Sequence, residues 1–271
     1  MPTVARDGVS IHFEDEGTGP VVVLLHGIAF AGDLWSAIVG PVVEAGWRAV
    51  TIDLRGHGAS GPSAEPFDLD DVVDDVEAVL DSLGVDEAVC VGNCAGGHVA
   101  LRFALAARTR VRGLVLSATT AQAMDTVKRL KYQAMMLGVR LAGAKALVGQ
   151  LKPLFFGPGT LAERHELVDR WAGRWIEAHV ASMNEWVTAI GARRDLRHRL
   201  GEVSAPTLVL VGDADAALPA TPHSDMLAAR IHGARYEILT GGIGHEPPLE
   251  DPETFTKHLL EFLGPLHRDH G

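Results

Sequence analysis

Cysteine is scarce in this chain: of 271 residues only Cys90 and Cys94 carry a thiol. A disulfide framework of the kind that staples small secreted domains is therefore excluded. Cys90 falls inside an apolar run of strand type and points away from the turn that carries Cys94, so no bridge between the two is expected. No further Cys or Cys/His pair stands at ligand spacing, and neither a metal nor a cofactor is expected. Long apolar runs are missing too. A bilayer-spanning helix needs about twenty consecutive apolar residues, and none occurs. The opening Met-Pro-Thr-Val-Ala-Arg-Asp-Gly lacks the apolar centre of a signal peptide, which predicts a cytoplasmic protein. Basic residues are outnumbered 24 to 35, for a net charge of -11. That balance argues against nucleic acid or an anionic membrane as a partner.

What the chain does have is apolar patterning, with 47% hydrophobic residues, enough for one globular unit with a sizeable core. Strands are predicted over residues 9–14, 21–25, 48–54, 88–91, 111–116, 206–211 and 235–239. The solid run Val-Val-Val-Leu-Leu at 21–25 marks a strand buried on both faces. Helices are predicted near 34–42, over 69–83 with a clean helical period and an acidic outer face, and over 99–107, 224–231 and 252–263. Such alternation of strand and helix predicts a mostly parallel sheet covered on both faces. The rhythm breaks after Ala118, and from there to Leu200 no buried strand appears. Helices are expected instead over 124–141, 144–151, 160–175 and 176–190, interrupted by Pro153 and Pro158. Residues 1–118 and 201–271 are thus read as a core domain, with a helical cap, 119–200, inserted between its strands 6 and 7.

The chain is organised around Gly92-Asn93-Cys94-Ala95-Gly96-Gly97, where a strand gives way at once to a helix. So sharp a turn needs glycines on both sides of a residue with strained backbone. The pattern G-x-C-x-G-G resembles the nucleophile elbow G-x-S-x-G of the α/β-hydrolase superfamily, with cysteine in place of serine, as in dienelactone hydrolases. His26-Gly27 resembles the family's oxyanion loop, residues 53–60 its D-x-R-G-x-G-x-S turn, and Gly212-x-x-Asp215 and Gly244-His245 its acid and histidine loops. The resemblance covers nearly all of the chain outside the cap. It implies an α/β-hydrolase fold with an eight-stranded, mostly parallel sheet. It also implies a catalytic triad of Cys94 as nucleophile, His245 as base and Asp215 as its partner. The oxyanion would be held by the backbone N–H groups of Ile28 and Ala95. Asp213 competes with Asp215 as the acid; the family pattern favours the second position. His26, Asp53, Arg55 and His57 are read as loop ties, Cys90 as core, and His98, one helical turn after Cys94, either as helix packing or as a residue that sees the pocket.

The chemistry agrees with these roles. Only a thiolate attacks well, a helix N-terminus favours an anion there, and a histidine can take the proton. Asn93, Tyr132, Met135, Met136, Phe155 and Trp186 are candidate substrate contacts; with Phe156, Trp171 and Trp175, the cap residues among them either line a pocket over Cys94 or make the cap's own core. The basic run at 193–199 reads either as a salt-bridged surface or as a cradle for an anionic carrier such as coenzyme A. Dienelactone hydrolases lack a large cap. The cap placement looks more like capped esterases, carbon–carbon bond hydrolases and cofactor-free haloperoxidase-like enzymes. The first expectation is cleavage of a small apolar ester, lactone or thioester through an S-acyl intermediate. The second is a biosynthetic lyase or acyltransferase of secondary metabolism on the same site, for example one eliminating acetate from an acylated tetronate or polyketide intermediate. The third is a non-catalytic small-molecule receptor. The partner is a small-molecule substrate in each, with a carrier-bound acyl group (coenzyme A or acyl carrier) and a homodimer left open.

Overall fold

A computed structural model describes residues 2–146, 148–177 and 180–268. Eight strands form one sheet: β1 (Thr3–Arg6), β2 (Val9–Glu16), β3 (Val21–Leu25), β4 (Arg48–Ile52), β5 (Ala88–Asn93), β6 (Val111–Ser117), β7 (Thr207–Gly212) and β8 (Arg235–Leu239). Their spatial order is β1-β2-β4-β3-β5-β6-β7-β8. β2 runs antiparallel to both neighbours and β3 to β8 are mutually parallel. The strand that sequence reading left out is β1, which pairs with β2 through a turn at Asp7-Gly8 with φ of 47° and 76°. Four half-exposed residues without a buried face carry too little apolar pattern to announce a strand.

Burial on both faces follows from alternation along the central strands. Val21, Val23 and Leu25 of β3 join one core cluster and Val22 and Leu24 the other. Helices α1 (Ser36–Glu44), α2 (Leu69–Ser82) and α3 (Ala95–Ala106) follow β3, β4 and β5. α2 opens on a capping box between Asp68 and Asp71 and turns Leu69, Val72, Val73, Val76, Val79 and Leu80 inward. α3 is buried around its whole circumference up to Leu105, as its apolar and small residues require.

Between β6 and β7 the described chain holds α4 (Thr126–Ala142), α5 (Val148–Phe155), α6 (Pro158–Glu163), α7 (His165–Glu177) and α8 (Val180–Gly191). The single helix expected over 160–175 is two. Arg164 breaks it, at φ -121°, and its guanidinium donates to the carbonyls of Leu249 and Glu250. α5 begins later than expected and runs through Pro153 to Phe155. After β7 come α9 (His223–Arg230), the short α10 (Pro247–Glu250) and α11 (Pro252–Arg268). Among the described residues no helix is long and apolar enough to cross a membrane.

The chain order reverses direction across the sheet between β3 and β5. In open parallel sheets the carboxyl ends of strands at such a switch point leave a crevice in which ligands bind. Ile28 follows β3 and Cys94 follows β5, so both face that crevice.

Candidate active site

Cys94 sits between β5 and α3 with φ 50° and ψ -110°, a strained backbone for any residue with a side chain. The flanking glycines make it feasible. A Cβ on Gly92 would lie 2.3 Å from the Gly96 carbonyl oxygen, and one on Gly96 would lie 2.1 Å from that of Leu25. The turn is clamped by the Cys94 N–H donating to Ser117 O (2.9 Å) and by the Thr119 hydroxyl donating to Cys94 O (2.9 Å).

His245 reaches the sulfur from the loop after β8. Its Nδ1 donates to Asp215 Oδ2 at 2.8 Å, which leaves Nε2 for the cavity whose wall the ring shares with Cys94. The second oxygen of Asp215 accepts the N–H groups of Ala217 (2.9 Å) and Leu218 (2.8 Å). Asp213, the competing acid, is turned away and ties down the N–H groups of Gly241, Gly242 and Ile243. The electrostatics favour an ion pair. Burial pushes the Cys94 thiol up, but the His245 charge and hydrogen bond, with help from the Ile28 N–H, bring it below its ordinary value. Burial likewise pulls the His245 ring down, and the Asp215 carboxylate and the sulfur more than reverse that, raising it well above the ordinary value. Cys94 also stands at the N-terminus of a 12-residue helix, where the dipole favours negative charge on the sulfur. Cys90 is fully buried in β5, unpaired, and pushed up to about 12 by burial.

The loop after β3 is held by two neutral histidines. His26 Nδ1 donates to Gly27 O while its Nε2 accepts the Leu54 N–H (2.9 Å). His57 Nε2 accepts the Ala29 N–H (3.1 Å), and burial pushes its ring down to about 3. Asp53 collects the Gly32 and Ala59 N–H groups and the His12 ring.

A cavity of about 130 Å³ opens over the sulfur, with Cys94, Ile28 and His245 in its wall. Tyr132, Met135, Met136 and Phe155 line it as read from the sequence, as does Trp175. Asn93 and Trp186 do not, which corrects the substrate contacts expected of them. The Asn93 amide lies behind the site, donating to Glu246 Oε2 (2.7 Å) and accepting from the Ser117 hydroxyl (2.7 Å). Trp186 is fully buried, donates through Nε1 to Arg55 O (2.8 Å) and packs on His57 and Phe67. Phe156 and Trp171 belong to the core cluster that includes α1 and α11. His98 faces the cavity instead of packing the helix alone.

Two further residues, Lys128 and Glu250, were missed, and Arg193 was read only within the basic run at 193–199. Lys128 and Arg193 line the cavity. Lys128 lies four residues before Tyr132 on α4, a helical spacing that puts the two on one face. Glu250 has no such signal: one oxygen accepts the Gly244 and Glu246 N–H groups and the other the Gly157 N–H (2.8 Å). The His245 N–H itself donates to Phe155 O (3.0 Å), so α5 and the histidine loop are stitched together. Among the described residues no group of three or more His, Cys, Asp or Glu is arranged to hold a metal.

A parallel sheet with an acid, a histidine and an elbow residue at its carboxyl edge defines the α/β-hydrolase class. Residues 20–252 match the alpha/beta hydrolase fold family, and the chain belongs to it. It is 30% identical over 271 aligned positions to the non-heme chloroperoxidase CPO-A1 of Kitasatospora aureofaciens, covering 95% of this chain and 97% of that one. Among solved structures it is similar to a thermophilic esterase from Thermogutta terrifontis with malate bound (TM-score 0.90, 28% identity, 98% of this chain and 97% of that chain). It is also similar to the enol-lactonase of Burkholderia xenovorans (TM-score 0.87, 25% identity, 97% of this chain and 100% of that chain). The protein is an α/β-hydrolase-fold hydrolase.

Proposed function

We propose that the protein cleaves a small, largely apolar ester, lactone or thioester through an S-acyl intermediate on Cys94. What supports this is the His245–Asp215 hydrogen bond beside the elbow residue Cys94, with the ring and the sulfur both in the wall of the cavity. The thiolate attacks the carbonyl carbon, and the carbonyl electron pair moves onto oxygen. That oxyanion takes hydrogen bonds from the Ile28 and Ala95 N–H groups, each such donor being worth about 3 kcal/mol in a transition state. As the intermediate collapses the bond to the leaving oxygen or sulfur breaks, and His245 gives it the proton. A water then loses its proton to His245 and attacks the S-acyl carbon. The acid departs, sulfur leaves as thiolate and the histidine is again charged. The helices between β6 and β7 serve as the cap that shields this chemistry from bulk water, and an enol-lactonase among the similar structures fits a lactone or ester substrate.

An apolar roof of Met124, Met135, Met136 and Met183 favours a second reading on the same residues, in which water is kept out. The S-acyl group then passes to another acceptor, or His245 removes a proton and a carboxylate leaves.

A short-chain p-nitrophenyl ester tests the first reading. Stopped-flow release of p-nitrophenol is expected to show a burst of one equivalent per site. Mass spectrometry of the quenched protein should find the acyl mass on the peptide holding Cys94. A linear time course with the acyl group absent from that peptide throughout would overturn the covalent mechanism.

A further inference from the structure

In the run at 193–199, Arg194 pairs with Asp70, Arg197 with Asp195 and Arg199 with Glu202. Arg193 is the exception. It is 8% exposed, turns inward and lines the same cavity as the Cys94 sulfur. Its Nε and Nη1 donate to the carbonyls of Gln122 (2.8 Å) and Ile190 (3.0 Å). No carboxylate of the described residues pairs with it. Lys128 enters the cavity wall from α4, and its Nζ donates to Ala217 O (2.9 Å), again with no carboxylate partner among the described residues.

The nearby acids are committed elsewhere. Asp125 caps α4 by accepting the Lys128 N–H, and Asp215 holds His245 and two backbone N–H groups. Two cations therefore share one wall of an otherwise methionine-rich cavity. Burial lowers both, helped for Lys128 by the Arg193 charge and for Arg193, which falls to about 10, by the Arg102 charge. Uncompensated buried charge is costly, and a pair of like sign more so. An anion delivered by the ligand would relieve both, and a guanidinium matches a carboxylate in a planar, two-pronged geometry.

We propose that Arg193 and Lys128 form an anion subsite, and that the substrate carries a carboxylate on the part remote from the bond broken at Cys94. The assignment rests on reading the cavity as the substrate site, and it extends that reading from an apolar substrate to one with an anionic end.

Calorimetry tests it without relying on turnover. The probes are 4-phenylbutyrate and its neutral amide, 4-phenylbutyramide, titrated into the 271-residue protein near neutral pH. A charge-assisted hydrogen bond of this kind corresponds to roughly 10- to 100-fold in affinity. The carboxylate is expected to bind at least about tenfold more tightly than the amide. In Arg193→Gln that ratio is expected to fall to about threefold or less, and in Lys128→Gln to fall part of the way. Arg193 also ties two carbonyls, so Lys128→Gln, at a partly exposed position, decides the matter if the arginine variant does not fold. Equal binding of the two probes, no binding of the carboxylate at millimolar concentration, or a ratio unchanged in the folded variants would each overturn the subsite. In Cys94→Ala the ratio is expected to persist. In the unaltered protein, absence of the burst together with a kept ratio would overturn the nucleophile and leave the anion subsite standing.

Discussion

Replacing Cys94 by alanine is expected to reduce kcat for a p-nitrophenyl ester by about 10⁴-fold or more, with the melting temperature little changed. Triad members act as a unit, so losing one forfeits nearly the whole covalent advantage and leaves only the oxyanion donors and binding. His245→Ala should cost about as much by the same argument, and the double variant little further. The acid–base coupling supplies an independent readout. A free thiol titrates near ~8.5, but the imidazolium beside Cys94 holds it below its ordinary value. Alkylation of the native protein by iodoacetamide should therefore remain fast on the acid side of that midpoint, and Cys90, pushed up by burial, should stay unmodified. In Asp215→Asn two effects oppose. The Asp215 charge itself disfavours the thiolate, but it also sustains the His245 cation, whose pull on the sulfur is the larger. The alkylation midpoint is expected to rise. A midpoint unmoved in both His245→Ala and Asp215→Asn would mean that the sulfur and the ring are not coupled, and the nucleophile assignment would fall with it. Cys94→Ser keeps the shape but loses the easily formed anion, and should retain only a small part of the rate.

The second large effect is on stability. Arg55 and Asp75 form a two-pronged ion pair, both bonds 2.7 Å, with side chains only 4% and 2% exposed. Burial lifts the Asp75 carboxyl above its ordinary value despite its bonds to Arg55. The pair as a whole is therefore a weak source of stability, yet breaking it on one side strands a charge. Asp75→Ala should lower the unfolding free energy by about 3–5 kcal/mol, read from urea midpoints at constant slope. Replacing both members by apolar residues of similar volume, as in Arg55→Met with Asp75→Leu, should recover most of that loss. A double variant worse than Asp75→Ala would show that Arg55 matters through its other contacts: the Phe67 face under its guanidinium and the Asp71 carbonyl. The link to the site runs through backbone. The carbonyl of Arg55 accepts from Trp186 on α8 and from the His57 ring, whose other nitrogen holds the Ala29 N–H. Loosening this turn should therefore also raise KM or lower kcat in the single variant.

Much of this was legible in the residues. Seven strands and the order Cys94, Asp215, His245 could be read because buried parallel strands are solid apolar runs and the turns that follow them need glycine. The inner wall of the cavity was half legible. Tyr132, Met135 and Met136 announce themselves by helical spacing, but Trp186 shares that spacing and faces the Arg55 turn. Spacing says which residues share a face and not what that face meets. Arg193 was hidden by its company: three neighbouring arginines pair at the surface, and only the end of α8 turns the fourth inward. Glu250 was hidden because its work is to collect backbone N–H groups, which leave no trace in side-chain pattern.

The stitch between α5 and the histidine loop sets a limit on how the cavity can be filled. Lifting α5 would break the bond from the His245 amide to Phe155 O and pull Gly157 off Glu250. The His245 ring would lose its footing at the moment the way in opened. Substrate traffic on that side and a poised imidazole are mutually exclusive states.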